Sequence, residues 1–252
     1  MAWFEHPAGR IYYEESGSGD PVLVLPGWSG TIDGLAPLRQ ALAANFKVIA
    51  ADLPGSGKSE PQPRDYPPTF YQDDARAFLA MLEARDTRPA HIVGYSDGGE
   101  YALLIAALQP EIVRSIVTWG AAGQVPNSPE LADLFSNVVD NPDPSLHEFS
   151  QYLKATYGEA NARTMAQSFG SAIRAIMEAG GEISRRRAED ISCAALLIAG
   201  EHDNITSPAL VSEMAGAITD GAYVEVQGAG HGVHHERLEW LTDTIIEWLS
   251  KH

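Results

Sequence analysis

Ser96 stands in Gly94-Tyr95-Ser96-Asp97-Gly98-Gly99, a G-x-S-x-G spacing that follows an apolar run and precedes an apolar stretch from Tyr101 to Leu108. That order reads as strand, sharp turn and helix, the setting of a nucleophile elbow. Small neighbours let the strand and helix approach closely, so the turn can project the serine hydroxyl with the helix N-terminus beneath it. A serine hydroxyl is a weak nucleophile until a base takes its proton. His231 is the candidate base. It lies in Gly228-Ala229-Gly230-His231-Gly232, past the last strand-like run, where glycines leave an imidazole room to reach the turn. The base in turn needs a carboxylate to fix its tautomer and stabilise the imidazolium. Asp203 fits: Gly200-Glu201-His202-Asp203 closes another apolar run, and the order Ser, Asp, His along the chain suits this type of elbow. Glu201 is its nearest competitor, and a turn or capping aspartate is the plainer reading of Asp203. The chemistry implied is acyl transfer through a covalent intermediate.

An oxyanion formed at such a serine needs two backbone N–H donors. One is expected from Asp97, the residue after the nucleophile. The other is expected from Trp28 in Pro26-Gly27-Trp28-Ser29-Gly30, the loop after Val22–Leu25; that backbone role holds even if the indole packs in the core. The side chain of Asp97 poses a separate question. A carboxylate beside an oxyanion hole opposes the developing charge unless a cation compensates, and a substrate α-ammonium group would do so. Helix capping is the competing role, since an aspartate in a first turn gains about 0.3–1 kcal/mol from the helix dipole. Glu100, one turn past Ser96, would add to the negative field or sit in the core or at the surface.

Other histidines and loops carry less. His234 and His235 are expected at the surface of a helix start. His231 and His235 have the i, i+4 spacing of a metal pair, but no H-E-x-x-H pattern exists and the loop glycines argue against a continuous helix, so no metal is expected. Asp52-Leu53-Pro54-Gly55-Ser56-Gly57-Lys58-Ser59 ends like a phosphate-binding loop, yet it opens on Asp52 where glycine belongs and is stiffened by Pro54. Gly17-Ser18-Gly19 lacks the third glycine of a dinucleotide fingerprint and precedes a strand. No cofactor is expected.

The elements that must hold these residues alternate along the chain. Val22–Leu25, Val48–Ala51, Ile92–Gly94, Ile116–Val117 and Ala195–Ala199 are short apolar runs, as in parallel strands buried on both faces. Tyr223–Val226 alternates, as expected nearer a sheet edge, and Arg10–Glu15 reads as an early, antiparallel strand paired with residues 2–6. Between them Leu35, Leu38 and Leu42 share a helical face, as do Ala75, Phe78, Leu79 and Leu82, and near the end Leu238, Leu241, Ile245 and Trp248. Strand–helix–strand order predicts an α/β fold, a mostly parallel sheet covered on both sides. Residues 123–190 break the rhythm with no convincing strand. They are expected to form a helical cap over the carboxyl edge, inserted into a core of residues 1–122 and 191–252, because open α/β sheets bind ligands at that edge. The aromatic residues Trp119, Phe135, Phe149, Tyr152 and Phe169 are expected to line its pocket side, and Arg185-Arg186-Arg187 to form a solvated helix face.

Composition narrows the partners. A formal net charge of −17 disfavours nucleic acid, whose phosphates need Lys and Arg, and an anionic membrane for the same reason; it suits solubility or a cationic ligand. The expected partner is a small-molecule ester. No apolar run approaches the roughly 18–20 residues of a membrane span, and Met1-Ala2-Trp3-Phe4-Glu5-His6-Pro7 lacks the pattern of a secretion signal, so a cytoplasmic location is expected. The single cysteine, Cys193, allows no internal disulfide and is expected to be a buried small hydrophobe.

From Arg10 onward the chain resembles the α/β-hydrolase family, and within it the biphenyl-hydrolase-like (valacyclovir hydrolase) serine hydrolases. The resemblance rests on Gly94–Gly99, on Val117-Thr118-Trp119-Gly120-Ala121, on Gly200–Asp203 and on the segment around His231. It implies an α/β-hydrolase fold with a cap and hydrolysis of α-amino-acid esters, in which an aspartate at the position of Asp97 meets the substrate's amino group. The leaving alcohol does not carry over. A general carboxylesterase or lactonase, a carbon–carbon bond hydrolase and a slow-turnover ligand receptor on the same fold stay open at this point.

Overall fold

The computed structural model describes residues 2–7 and 9–252. Its centre is an eight-stranded sheet in the order β1-β2-β4-β3-β5-β6-β7-β8. The strands are β1 (Ala2–His6), β2 (Gly9–Ser16), β3 (Pro21–Leu25), β4 (Lys47–Ala51), β5 (Ala90–Tyr95), β6 (Val113–Trp119), β7 (Ala194–Gly200) and β8 (Gly221–Val226). β1 pairs antiparallel with β2, and β2 antiparallel with β4; every pairing from β4 to β8 is parallel. The buried runs are the reason. β7, Ala-Ala-Leu-Leu-Ile-Ala-Gly, is buried along its whole length, which is possible only where helices cover both faces.

Those helices form two layers. On one face lie α1 (Ala36–Leu42), the short α8 (Val233–Glu236) and α9 (Leu238–Lys251), where Leu38, Leu42, Val233, Leu241 and Ile245 pack with Val22, Val24, Val48 and Val93. Leu241, Ile245 and Leu249 form the buried stripe of α9, while Leu238 and Trp248 are only partly covered. On the other face lie α2 (Phe70–Ala84), α3 (Asp97–Leu108) and α7 (Pro208–Ala217), with Phe78, Leu82, Leu103 and Val211 against Leu23, Ile49, Ile92 and Leu197. Each such side chain, fully buried, contributes about 1.5–3 kcal/mol.

Parallel pairing fixes where the loops emerge. Leu25 pairs with Gly94, Tyr95 with Trp119, Trp119 with Ile198 and Gly200 with Val226. The carboxyl ends of β3, β5, β6, β7 and β8 therefore form one rim, and the loops there carry Trp28, Ser96, Gly120, Asp203 and His231. Between β6 and β7 the chain runs through α4 (Pro129–Asn137), α5 (His147–Tyr157) and α6 (Glu159–Glu178), with an isolated bridge between Gln124 and Glu182 where it leaves and returns. Arg185–Asp190 is a short 3-10 turn, not an α-helical face, and Arg187 lies partly buried with its guanidinium on the Ala107 carbonyl (3.0 Å). Among the described residues no helix is long and apolar enough to cross a membrane.

Candidate active site

The turn after β5 is strained in the manner its sequence predicts. Ser96 has φ +52° and ψ −119°, a region that costs a non-glycine residue about 1–3 kcal/mol and persists only where the surroundings enforce it. They do so here. Ser96 N–H donates to the Trp119 carbonyl (2.8 Å) and the Ser96 carbonyl accepts from Glu100 N–H (3.0 Å), so the elbow is anchored to β6 on one side and to α3 on the other. Gly98 must be glycine for packing: a Cβ there would lie 2.4 Å from the Leu25 carbonyl oxygen.

His231 reaches this turn from the loop after β8. Its Nε2 lies 3.0 Å from Ser96 Oγ and its Nδ1 lies 2.8 Å from Asp203 Oδ2. Asp203 is buried, and its Oδ1 accepts from the N–H groups of Ile205 and Thr206, each at 2.9 Å. With both oxygens engaged the carboxylate has one orientation, so Nδ1 is the protonated nitrogen and Nε2 is left to accept from the serine. Glu201, the competitor, is exposed and accepts from Gly228 N–H (2.8 Å), away from the imidazole. Gly120 makes room for the base: it has φ +68°, and a Cβ there would stand 2.7 Å from His231 Cε1.

Trp28 sits in a turn closed by Gly30 N–H on the Gly27 carbonyl (2.9 Å), and Gly27 is pressed against Tyr95 and Ser96. Asp97 opens α3, so its N–H has no acceptor within the helix. Trp28 therefore follows a glycine packed against Ser96, and Asp97 follows Ser96 directly. The Trp28 indole is buried, stacked on Phe169 (centroids 4.3 Å) and met edge-on by Phe135 and Phe149. Its Nε1 donates to Tyr66 Oη (3.2 Å). Phe135, Phe149 and Phe169 come from α4, α5 and α6, so all three inserted helices converge on this loop. The hydroxyls of Tyr152 and Tyr157 add donations to the Ser29 carbonyl at 3.0 and 2.5 Å. Trp119, expected with these aromatics, lies instead beneath the site, fully buried in the layer of α9, because its indole donates to His234 Nδ1 (3.1 Å). His234 is buried by the same contact, not at the surface, and burial lowers its pKa to about 3.

The side chain of Asp97 faces α2. Its Oδ1 accepts from Tyr71 Oη at 2.7 Å, and burial pushes its pKa up to about 7, against the lowering effect of that hydrogen bond. The same burial, with Asp97 adding to it, holds the Tyr71 hydroxyl well above its usual range. Arg64, a cation that also acts on Asp97, is clamped by Asp74 in two 2.7 Å hydrogen bonds, and Tyr101 Oη donates to the same carboxylate at 2.8 Å. Tyr71, Arg64 and Asp74 were not among the candidates read from the sequence; they lie on other segments, with no local motif to mark them.

A cleft of about 250 Å³ runs between the start of α4 and the loop after Asp203, with Leu131, Leu134, Ile205 and Leu210 as its apolar lining and Glu130 at hand. A larger depression of about 620 Å³ near Gly57–Gln62 is lined by none of Ser96, Asp97, Asp203 and His231. Among the described residues no group of His, Cys, Asp and Glu is arranged to hold a metal ion.

Residues 22–244 match the profile of the alpha/beta hydrolase family. The human (Homo sapiens) protein Serine hydrolase BPHL is 30% identical over 202 residues, which are 77% of this chain and 67% of that protein. A pimeloyl-(acyl-carrier protein) methyl ester esterase of Chromobacterium violaceum is 28% identical over 253 residues, covering 90% of this chain and 94% of that one. Among solved structures, the enol-lactonase of Burkholderia xenovorans LB400 superposes with a TM-score of 0.77 over 99% of this chain and 100% of its own, at 23% identity, a likeness of fold.

Proposed function

This chain belongs to the α/β-hydrolase family, and from that premise we propose that it is a serine hydrolase cleaving carboxylic esters through an acyl-enzyme. Ser96 is the nucleophile, His231 the general base and then acid, and Asp203 the carboxylate that orients His231. The observation that carries this reading is the unbroken hydrogen-bonded line from Ser96 Oγ through the imidazole to Asp203 Oδ2 (3.0 and 2.8 Å), starting at a strained elbow. In the first half-reaction Oγ attacks the ester carbonyl as its proton moves to Nε2. The oxyanion is met by the N–H groups of Asp97 and Trp28, and the imidazolium returns its proton to the leaving alkoxide. Water then takes the place of the alcohol and repeats the sequence to release the acid. Residues 123–190 act as the cap, with Phe135 and Phe149, both partly exposed, on the pocket side.

Within that class the preferred substrates are α-amino-acid esters. The supporting observation is Asp97, a desolvated carboxylate beside the nucleophile whose nearby guanidinium, Arg64, is already committed to Asp74. A substrate ammonium supplies the missing cation. The second reading, a general carboxylesterase or lactonase, draws on the Tyr71 hydrogen bond, which already satisfies one Asp97 oxygen. Comparing kcat/KM for an aminoacyl ester with that for its des-amino analogue separates the two. Ser96→Ala tests the class itself: loss of multiple turnover on both esters is expected, and retention of more than about a tenth of kcat would exclude Ser96 as nucleophile, because triad losses span orders of magnitude.

A further inference from the structure

Glu100 lies one turn beyond Ser96 on α3, buried at 6% exposure. Both its oxygens are taken by backbone N–H groups of the segment that leaves β6: Ala122 donates to Oε1 at 2.8 Å, and Gly123 to Oε2 at 2.9 Å and to Oε1 at 3.2 Å. Gly123 is where the cap begins. Its carbonyl accepts from the N–H groups of Ile183 (3.1 Å), Ser184 (2.8 Å) and Arg185 (2.9 Å), where the cap ends, and Val125 N–H donates to the Gly181 carbonyl at 2.7 Å. One peptide thus joins the outgoing chain to the returning one, and Glu100 joins that peptide to the helix that carries the nucleophile. The same segment contains Gly120, which backs the His231 ring.

A buried carboxylate is a costly occupant of this position, since an apolar side chain would pack there without desolvating a charge. The rest of α3 from Tyr101 to Ala107 is buried and almost wholly apolar. The titratable groups around Glu100 do not relieve it. Asp97 on its own helix and Glu182 at the end of the cap both oppose its ionisation, Tyr71 on α2 feels its charge, and Arg187, across from α3, spends its guanidinium on Asp190 and the Ala107 carbonyl. Its compensation comes from the two peptide N–H groups.

We propose that Glu100 is a positioning residue for the hydrolysis, tying the hinge of the cap to the nucleophile helix and so setting how firmly the cap closes over a substrate. The proposal rests on the reading of this chain as a capped serine esterase. Protonation weakens the tie, because the hydroxyl oxygen of a carboxylic acid is a poor acceptor and one of the N–H groups loses its partner. Burial holds the pKa of Glu100 up to about 8, so the tie tightens as pH rises through that value.

The test uses Glu100→Gln and Glu100→Asp with two neutral esters, p-nitrophenyl acetate and p-nitrophenyl octanoate, so that no ammonium involves Asp97. Glu100→Gln is expected to raise KM for the octanoate about three- to ten-fold while leaving kcat for the acetate within about two-fold, the signature of lost substrate holding. In the wild type KM for the octanoate should fall as pH rises through about 8, and in Glu100→Gln it should not. The amides of Ala122, Gly123, Ile183, Ser184 and Arg185 should lose roughly ten-fold or more of their hydrogen-exchange protection in the Gln variant, and Glu100→Asp, too short to reach, should behave likewise. Unchanged KM, pH profile and exchange, or equal loss of kcat on both esters, overturns the proposal. Should neither variant fold, the wild type alone decides: protection of Ala122 and Gly123, corrected for intrinsic exchange, must rise with pH between about 6 and 9, and a flat profile overturns it. If the wild type hydrolyses neither these esters nor an aminoacyl ester, the esterase reading fails, while the exchange measurements still test the tie.

Discussion

Asp97→Asn replaces a carboxylate by an amide of the same shape, keeps the backbone N–H for the oxyanion and keeps an acceptor for Tyr71. Only the charge is lost. Burial raises the pKa of Asp97 from 3.8 to about 7, a shift of about 3 units, so ionising it in place costs on the order of 4 kcal/mol more than in water. A cation bound against it recovers part of that cost, and only the ionised form offers the pairing. The ratio of kcat/KM for an aminoacyl ester over its des-amino analogue should therefore follow the product of ionised Asp97 and protonated substrate amine, rising roughly five-fold from pH 6 to a maximum at about pH 7.4 and falling beyond it, as the amine, near 7.7–8.0 for a free α-amino group, loses its own proton. Asp97→Asn should flatten that profile and lower kcat/KM for the aminoacyl ester about 10- to 300-fold at pH 8, or about 1.4–3.4 kcal/mol, with the des-amino ester unchanged or improved. Stability moves in a defined direction as well. The folded protein binds more protons at Asp97 than the unfolded chain between pH 3.8 and about 7, so its stability declines across that window as pH rises. The melting temperature of Asp97→Asn relative to wild type should accordingly rise from pH 4 to pH 8. Equal loss on the two esters, together with a lower melting temperature at every pH, would refute the argument and leave Asp97 as a helix-capping residue of a general esterase.

Asp203→Asn should fold normally yet lose on the order of 10³–10⁴ in kcat, because the amide favours the wrong imidazole tautomer; Glu201→Gln, on the exposed neighbour, should stay near wild type, and the reverse outcome would reassign the acid. A fluorophosphonate should label Ser96 alone, read by peptide mass spectrometry, and labelling at another serine would move the nucleophile. Gly120→Ala puts a methyl group 2.7 Å from His231 Cε1, so steady-state kinetics should show a loss of kcat larger than the change in melting temperature accounts for. Phe149→Ala and Phe135→Ala should shift the preference between short and long acyl esters; a uniform fall in stability of about 3–5 kcal/mol with unchanged preference would make them core residues.

The meeting of Ser96, His231 and Asp203 at one rim was legible because each is announced locally. A parallel sheet delivers strand ends to one rim, so a candidate residue is marked by what surrounds it in sequence: Gly94 and Gly98 around Ser96, the glycines around His231, the end of an apolar run before Asp203. The sheet was legible for the same reason, since strands buried on both faces read as unbroken apolar runs. The residues that tune the site carry no such mark. Tyr71 meets Asp97 from 26 positions away, Glu100 holds Gly123 from 23, Tyr157 holds Ser29 from 128, and His234 takes the Trp119 indole N–H from 115. Each is an ordinary residue for its element, and only the pairing makes it informative. His234 shows how the error arises. In sequence it is a polar residue at the start of a short helix, and burial requires a hydrogen-bond partner that nothing nearby supplies.

The charges behind the nucleophile point the same way as Asp97. His234 adjoins the base through Tyr95, whose ring stands 4.3 Å from His234 and 5.2 Å from His231. With its pKa lowered to about 3, His234 stays neutral across the working range, so it adds no positive charge against the imidazolium at His231. Asp203 in contact and Asp97 at longer range both stabilise that imidazolium, and His231 in turn favours ionised Asp97. What the same charges oppose is the oxyanion, for which the proposed donors are the two peptide N–H groups of Trp28 and Asp97. A neutral ester meets both effects at once: help for the base, hindrance for the oxyanion. An ester with an α-ammonium group keeps the first and cancels much of the second, because its positive charge lies two bonds from the carbonyl carbon under attack. On the proposed reading, the electrostatics of the buried acids would therefore select for a cationic acyl group at the step where charge separates. That selection should appear in kcat as well as KM, which distinguishes it from simple ground-state attraction to an acidic surface.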